Sequence, residues 1–267
     1  MVSMTSSDRA HFHADRRGGD QEAHPSRSHV STLSRDGVES FVPKKPAIQV
    51  ERILRIQGYV DLERVRPAIR QSADSMAKLA TQLSASRVAY RRVPIRAIQA
   101  DVLELEGNVQ FRCRQFGRVL PGCTEVIVFV LTLGPNLDLR VIELSDAGDL
   151  LDALLLETAG WLCLEDATRQ FKVHARDEAI ARGHRITSRM GPGYSYKVDN
   201  EMCTWPLEEQ AILFGLFGDT EIPVSIMASC AMQPKMSRSG LIGVAPLPAQ
   251  ARIKGGDVSA LRAAPPA

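Results

Sequence analysis

The residues best suited to bind a small molecule lie together between positions 189 and 243, where an arginine and a tyrosine flank a Gly-Pro-Gly run. Gly191–Gly193 cannot continue a helix or a paired strand, so the backbone must turn there. Arg189 offers a planar guanidinium for a carboxylate or phosphate, and Tyr194 offers a ring face to a cation or a heterocycle. The spacing predicts a small-molecule cradle, with a tight turn that carries a surface arginine as the alternative.

Patterns typical of other chemistries are missing from the sequence. It contains no G-x-S-x-G, no P-loop and no G-x-G-x-x-G, and the histidines beyond the first 45 residues are His174 and His184. The five cysteines form no C-x-x-C pair and are odd in number, which favours reduced thiols over disulfides or a zinc site: Cys113, Cys123, Cys163, Cys203 and Cys230. We therefore predict no catalytic residue and no metal site. Such a protein can still promote a reaction by holding two reactants in line.

The strands that must position the cradle show two patterns. From Arg87 to Cys113 apolar and polar residues alternate, with Glu106–Asn108 as a hairpin turn, which indicates a sheet with one face in water. Thr124–Leu133 is nearly unbroken in apolar residues and predicts a central strand buried on both faces, over Val126–Leu133. Shorter strands are predicted at His184–Ser188, Ile222–Ile226 and Gly240–Val244. Without βαβ alternation, the pattern predicts an α+β fold: a single domain with a central, mainly antiparallel twisted sheet flanked by helices.

Helices are predicted by apolar residues that recur every three or four positions. They span Val50–Gly58, Pro67–Leu83, Asp149–Arg182 and Pro206–Phe217. The apolar face of the longest comprises Leu151, Leu154, Leu155, Ala159, Leu162 and Cys163. Beside it lie Glu157, Glu165 and Asp166, either as acids at the boundary of the face or with Glu165 or Asp166 as the acceptor for a ligand's amino group.

Composition divides the chain into three parts. Residues 1–45 are rich in His, Ser, Arg and Asp with few large apolar side chains, so we expect a disordered extension, followed by a domain at 46–248 and a flexible tail at 249–267. The net charge of +2 comes from interspersed charges, which argues against a nucleic-acid partner. No apolar run approaches the roughly 20 residues needed to span a bilayer, and no export signal is visible. We expect a cytoplasmic protein.

Three motifs in order carry a resemblance to a known family. R-x-x-P-G-Y begins at Arg189, W-P-L-E-E-Q at Trp205 and A-M-x-P-x-x-S-x-S-G at Ala231. Together they resemble the activation (reactivation) domain of cobalamin-dependent methionine synthase, and in particular the proteins that consist of that domain alone. The resemblance runs from about Val50 to Pro246 and implies the α+β fold of that domain.

The resemblance also implies a function. The domain binds S-adenosylmethionine and presents its methyl group to a corrinoid carried by another protein, while an external reductant such as a flavodoxin or ferredoxin supplies one electron to the inactive cob(II) form. By position, Arg189 would bind the ligand's carboxylate, Gly191, Gly193 and Tyr194 would contribute the turn, and Glu165 is a further candidate. Ala231, Met232, Ser237 and Ser239 would form a neighbouring wall. The expected partner is a split methionine synthase or another corrinoid protein.

One departure from the family leaves alternatives open. Relatives run almost directly from G-Y to W-P-L, whereas here Ser195–Thr204 intervene. A loop at the mouth of a site could replace ligand contacts or dock a partner, and we expect it at the surface beside the turn. The main alternative to a reactivation protein is a docking or cap module that binds a corrinoid protein without S-adenosylmethionine. An unrelated small-molecule enzyme that uses Arg189 and Cys203 is the third.

Overall fold

The computed structural model of the protein describes residues 37–248. Its strands are β1 (Val38–Phe41), β2 (Arg87–Gln99), β3 (Val102–Leu105), β4 (Val109–Arg112), β5 (Glu125–Thr132), β6 (His184–Met190), β7 (Ser195–Val198), β8 (Glu201–Thr204), β9 (Ser225–Ile226), β10 (Met232–Gln233) and β11 (Ser237–Pro246). Its helices are α1 (Val50–Ile56), α2 (Pro67–Leu83), α3 (Arg114–Val119), α4 (Asn136–Asp146), α5 (Leu150–Ala181) and α6 (Gln210–Gly215), the last preceded by a 3-10 turn at Leu207–Glu209.

The sheet is built around the apolar strand β5. Within residues 37–248, seven strands form one sheet in the order β4-β3-β2-β5-β11-β6, with β1 added beside β2. Every pairing in it is antiparallel. The predicted α+β fold, the antiparallel sheet and the central position of this strand are confirmed.

Both faces of the central sheet are covered. Phe129 and Leu131 pack with α1, α2, α4 and α5 on what we call the α5 face, whereas Val128 and Val130 pack with α3 and α6 on the α6 face. The prediction of one wet face holds for the hairpin of β3 and β4 but is wrong for β2, where four consecutive residues beginning at Val88 are buried. Alternation cannot reveal a second layer that comes from distant segments.

The long helix α5 matches its predicted bounds to within one residue at each end. Leu155, Ala159 and the later apolar positions are buried, but Leu151 and Leu154 remain 45% and 49% exposed. Helical periodicity shows which residues share a side and not how far the covering elements extend. No helix among the described residues has the length and apolar character to cross a membrane.

The N-terminal boundary of the domain differs from the predicted one. β1 pairs with β2 through Val38 opposite Arg91, and the ring of Phe41 stacks on His174 with 4.4 Å between centroids. The domain therefore includes Val38–Phe41 and does not begin at residue 46. No pattern in the sequence marked this strand, because four residues are too few to show a period. Residues 1–36 and 249–267 of the predicted extension and tail lie outside the described residues.

Candidate functional site

The predicted turn follows directly after β6. The Tyr194 amide donates to the Gly191 carbonyl at 3.3 Å, and the Gly193 amide donates to the Trp205 carbonyl at 2.8 Å. Gly193 has φ of +80°, a conformation that glycine adopts without strain. A Cβ on Gly191 would lie 2.9 Å from the Ser239 carbonyl oxygen. Both glycines are therefore required by the backbone, which brings the turn tightly against β11.

A β-bulge decides which way Arg189 points. Ile242 of β11 lies opposite Arg189, but two residues further on Val244 lies opposite Ile186, so β6 has one extra residue between them. Thr187 completes the bulge by accepting a hydrogen bond from the Gly243 amide at 2.9 Å. The extra residue reverses the alternation, so Arg189 shares the α5 face with Ile242.

Tyr194 positions the guanidinium of Arg189, which forms no ion pair with an acid of residues 37–248. The Cζ of Arg189 lies 4.8 Å from the centre of the Tyr194 ring, a cation–π contact that fixes the side chain. Its Nη1 is buried and finds no hydrogen-bond partner within residues 37–248. A buried donor without a partner is unfavourable by about 1–3 kcal/mol. This geometry is suited to binding an anionic group of a ligand.

A cavity of about 460 Å³ opens beside Tyr194, and we call it the Tyr194 cavity. The start of β11, the two residues before it and the first half of α5 form most of its wall, which combines apolar and charged side chains: Ile56, Leu154, Glu157, Thr158, Trp161, Leu164, Tyr194, Lys235, Met236, Ser237 and Arg238. Trp161 is 46% exposed and offers a second aromatic surface. Aromatic and charged groups around one opening are typical of ligand sites.

A second cavity of about 640 Å³ adjoins the first, and we call it the methionine cavity. It lies between α4 and the hairpin of β9 and β10, and Met227, Met232 and Met236 line it. The two cavities share Glu157, Lys235 and Met236 as wall residues. Lys235 forms an ion pair with Glu157, so this pair marks the boundary between them.

Glu165, the candidate for a ligand's amino group, is already paired. Its Oε1 accepts a hydrogen bond from Nη2 of Arg238, and Nη1 of Arg238 donates to Thr168 Oγ1 at 3.0 Å. Arg238 is buried on the α5 face and lines the Tyr194 cavity, although sequence reasoning did not single it out. The available signal was the position of Arg238 between two serines at the start of a strand. An arginine that a strand buries needs an acidic partner, which here is Glu165.

The two predicted serines have different surroundings. Ser237 lines the Tyr194 cavity, and its hydroxyl donates to the Pro234 carbonyl at 2.6 Å. Ser239 is buried, and its hydroxyl donates to Gln210 Oε1 at 2.9 Å. Gln210 in turn donates to the Cys230 carbonyl at 2.6 Å. Ser239 therefore ties the sheet to α6 and stands apart from Glu165.

The inserted segment Ser195–Thr204 forms a surface hairpin of β7 and β8 next to the turn. Its tip residues Asp199 and Asn200 have φ of +50° and +67°, as a two-residue hairpin turn requires. Tyr196 accepts a hydrogen bond from the Gly191 amide at 2.8 Å and donates to the Gly191 carbonyl at 3.2 Å, and burial raises its pKa. The hairpin therefore braces the turn.

The structure groups the predicted site residues into three sets. Arg189, Gly191, Gly193 and Tyr194 form the turn with Ser237 nearby, Ala231 and Met232 line the methionine cavity, and Glu165 and Ser239 are engaged by other protein groups. The sulfur atoms of Cys203 and Cys113 lie 4.0 Å apart, and both residues pack on the α6 face, whereas Arg189 shares the α5 face with Ile242. Within the described residues, no group of three His, Cys, Asp or Glu side chains is placed to hold a metal ion.

Comparison with known proteins identifies the fold. No protein-family model and no curated protein matches this chain. Among solved structures, the crystal structure of the MetH reactivation domain bound to AdoHcy matches with a TM-score of 0.53 over 82% of each chain, at 13% sequence identity. The chain therefore has the fold of that reactivation domain.

Proposed function

We propose that the protein binds S-adenosylmethionine beside the turn at residues 189–194 and supports reductive methylation of an inactive cob(II)alamin on a partner protein. The buried Nη1 of Arg189, which has no partner among the described residues, is the observation that carries the proposal. The similar solved structure is a reactivation domain bound to AdoHcy, so the fold is compatible with this class of ligand.

The residues around the turn suit the carboxylate of such a ligand and would keep water from the rest of it. Arg189 can donate two parallel hydrogen bonds to the ligand's carboxylate, and Tyr194 keeps the guanidinium in place. Ordering the donor would cost little free energy on binding, because Tyr194 fixes the guanidinium in advance. Trp161 and Tyr194 flank the Tyr194 cavity and would limit the access of water. The bound ligand supplies an electrophilic methyl group, and the protein supplies its placement.

The partner follows from the same proposal. A split methionine synthase or another corrinoid protein would present its cofactor at the Tyr194 cavity, with a flavodoxin- or ferredoxin-type protein as the source of the electron. The tip of the inserted hairpin is charged and exposed, and Met202 on it is 67% exposed. We propose that this tip contributes to the choice of partner. Because Tyr196 braces the turn, tip substitutions such as Met202→Asp test this better than deletion of the hairpin.

Two observations favour a second candidate function. Glu165 Oε1 accepts a hydrogen bond from Arg238, so one oxygen of the carboxylate expected to bind the ligand's amino group is already engaged. Ile56 and Leu154 at the Tyr194 cavity are 49% exposed each, as a surface that contacts another protein would be. A module that docks on a corrinoid protein without binding S-adenosylmethionine fits these two facts.

Calorimetric titration separates the two candidates. The purified full chain is titrated with S-adenosylmethionine and with AdoHcy, and adenosine and methionine serve as control ligands for the two halves. Saturable binding of both intact ligands, tighter than of either half, supports the reactivation role. If neither intact ligand binds while a corrinoid protein is retained in a pull-down, the docking role replaces it.

A further inference from the structure

Two cysteines that are 90 residues apart in the sequence come into contact on the α6 face. The sulfur atoms of Cys113 and Cys203 lie 4.0 Å apart, and both thiols are free. Cys113 lies between β4 and α3, and Cys203 lies in β8 of the inserted hairpin. The contact therefore joins the hairpin to the body of the domain through two groups that can form a covalent bond.

Buried aromatic rings set the approach of the two thiols. Phe111, two residues before Cys113, packs edge to face with Trp205, two residues after Cys203, at 5.3 Å between ring centroids. Both rings are fully buried. The Cys113 amide also donates to the Asp101 carbonyl at 2.7 Å. The core therefore holds the chain segments that carry the two thiols next to each other.

The two thiols differ in their access to solvent. Cys203 is partly exposed, whereas Cys113 is buried, and burial raises the pKa of the Cys113 thiol to about 11. Reaction with a disulfide requires a thiolate and access to the reagent, so a small disulfide from solution should react first at Cys203. An S–S bond is about 2 Å long, so the two sulfur atoms must approach by roughly 2 Å, which a rotation of the Cys203 side chain can supply.

Ion pairs at the surface also link the hairpin to α3. Arg114 pairs with Glu201 and, at 3.8 Å, with Asp199, and these side chains are between 45% and 79% exposed. Exposed ion pairs contribute little to stability, because solvent and salt screen them. A covalent bond at Cys203 would therefore strengthen an attachment that these pairs provide only weakly.

The same cysteine lies opposite the residue that braces the turn. Tyr196 of β7 pairs in register with Cys203 of β8. The Tyr196 hydroxyl accepts a hydrogen bond from the Gly191 amide and donates to the Gly191 carbonyl. A bond that fixes Cys203 would therefore also fix Tyr196 and, through it, the turn.

We propose that Cys113 and Cys203 form a reversible disulfide that fixes the inserted hairpin, and with it the turn, to the body of the domain. The proposal goes beyond the proposed function, because the bond forms without a ligand of the turn. The oxidant is a low-molecular-weight disulfide such as glutathione disulfide.

The reaction is a thiol–disulfide exchange in two steps. The Cys203 thiolate attacks one sulfur of glutathione disulfide, an S–S bond to the protein forms, and one glutathione leaves. The Cys113 thiolate then attacks Cys203 in this mixed disulfide, and the second glutathione leaves. The protons of the two protein thiols end on the two glutathione thiols. The cysteine pair is oxidised by two electrons, and glutathione disulfide is reduced by the same two.

Equilibration of the full chain in glutathione buffers tests the bond. The protein is incubated at ratios from fully reduced to fully oxidised glutathione, quenched with N-ethylmaleimide and digested without reduction for peptide mass spectrometry. The expected product joins Cys113 to Cys203 and is reversed by dithiothreitol. It should be lost in Cys203→Ser and form as in wild type in Cys230→Ser, the matched control at another partly exposed cysteine. Absence of the bond in wild type, whether Cys203 carries a persistent glutathione adduct or stays unmodified, would refute the proposal.

A second measurement tests the link to the hairpin and the turn. Hydrogen–deuterium exchange is compared between the oxidised and reduced forms of wild type, and peptides that cover residues 191–204 should exchange more slowly in the oxidised form. The melting temperature should rise by at least about 4 °C, because the bond closes a loop of 90 residues in the unfolded chain. A higher melting temperature without slower exchange would mean that the bond acts only on the unfolded chain, and the proposed fixing of the hairpin would be wrong. Neither readout uses a ligand, so failure here and failure of the proposed function are distinguishable.

Discussion

The two faces of the central sheet differ in the polar side chains that lie next to the turn. On the α6 face Ser239, Gln210 and the Cys230 carbonyl form a closed series of hydrogen bonds, and the indole of Trp205 donates to Glu209 at 2.7 Å. On the α5 face the buried Nη1 of Arg189 lacks a hydrogen-bond partner within the described residues. A buried group is normally satisfied, so the open group of Arg189 supports the ligand site proposed beside the turn.

The comparison separates residues that shape the turn from residues that we propose to contact the ligand, although both kinds occur in the same motifs. Trp205 accepts a hydrogen bond at its carbonyl from Gly193, and Ser239 approaches Gly191 with its carbonyl. Both act on the turn through the backbone from the α6 face. Arg189 and Tyr194 instead contribute through their side chains, which contact each other.

The largest effect is expected from Trp205→Ala on the α6 face. The indole is fully buried and packs edge to face with Phe111 at 5.3 Å and Phe116 at 5.1 Å between centroids. Its removal should lower the free energy of unfolding by about 3–5 kcal/mol, as large-to-small changes of buried aromatics do. Denaturant unfolding measures the change, with Met202→Ala on the exposed hairpin as control. A loss below about 1 kcal/mol would show that this face is not the scaffold.

Arg189→Ala should show the opposite behaviour. Loss of a charge-assisted hydrogen bond to the ligand's carboxylate should weaken AdoHcy binding by about 1.5–3 kcal/mol, roughly ten- to a hundredfold. The free energy of unfolding should change little, because the variant removes both an unfavourable buried donor without a partner in residues 37–248 and the stabilising cation–π contact with Tyr194. Arg189→Lys should restore part of the affinity, because lysine keeps the charge but not the fork. Calorimetry and melting curves on the same preparations separate the two effects, and equal affinities in all three proteins would refute the role.

The sequence predicted the frame of the molecule better than the orientation of its site. β5 and α5 were predictable because each is long and strongly patterned: nearly unbroken apolar residues mark a central strand, and Leu155, Ala159 and Leu162 mark a helical stripe. The Gly191–Gly193 turn was predictable because glycine and proline have few alternatives there.

The rest depends on residues that are distant in sequence. The direction of Arg189 follows from a bulge formed with Gly243, more than fifty residues further along the chain. The pairing of Glu165 with Arg238 and the strand at Val38–Phe41 both require knowledge of which segments are neighbours. Ala231 and Met232 were placed near the site by resemblance, but nothing local showed that they would line a separate cavity with Asp138.

A smaller effect is expected from Ser239→Ala. Without the hydroxyl, the Oε1 of Gln210 loses its donor while remaining buried, which should lower the free energy of unfolding by about 1–2 kcal/mol. AdoHcy affinity should follow wild type, because the side chain faces α6. Ser195→Ala, at an exposed hydroxyl pair with Thr204, is the matched control and should change stability little. A loss of affinity in Ser239→Ala without a loss of stability would mean that this serine contacts the ligand.

The smallest effect concerns the thiols and tests whether the faces differ in packing or only in polar partners. Burial raises the pKa of Cys163 on the α5 face and of Cys113 on the α6 face to about 11 each. At pH 8 about one thiol in a thousand is then ionised, and the thiolate is the species that reacts. Iodoacetamide should therefore label the partly exposed Cys203 and Cys230 first and leave Cys163 and Cys113 unmodified, as peptide mass spectrometry would show. Early labelling of Cys163 alone would mean that the α5 face opens in solution, and the difference between the faces would then extend to packing.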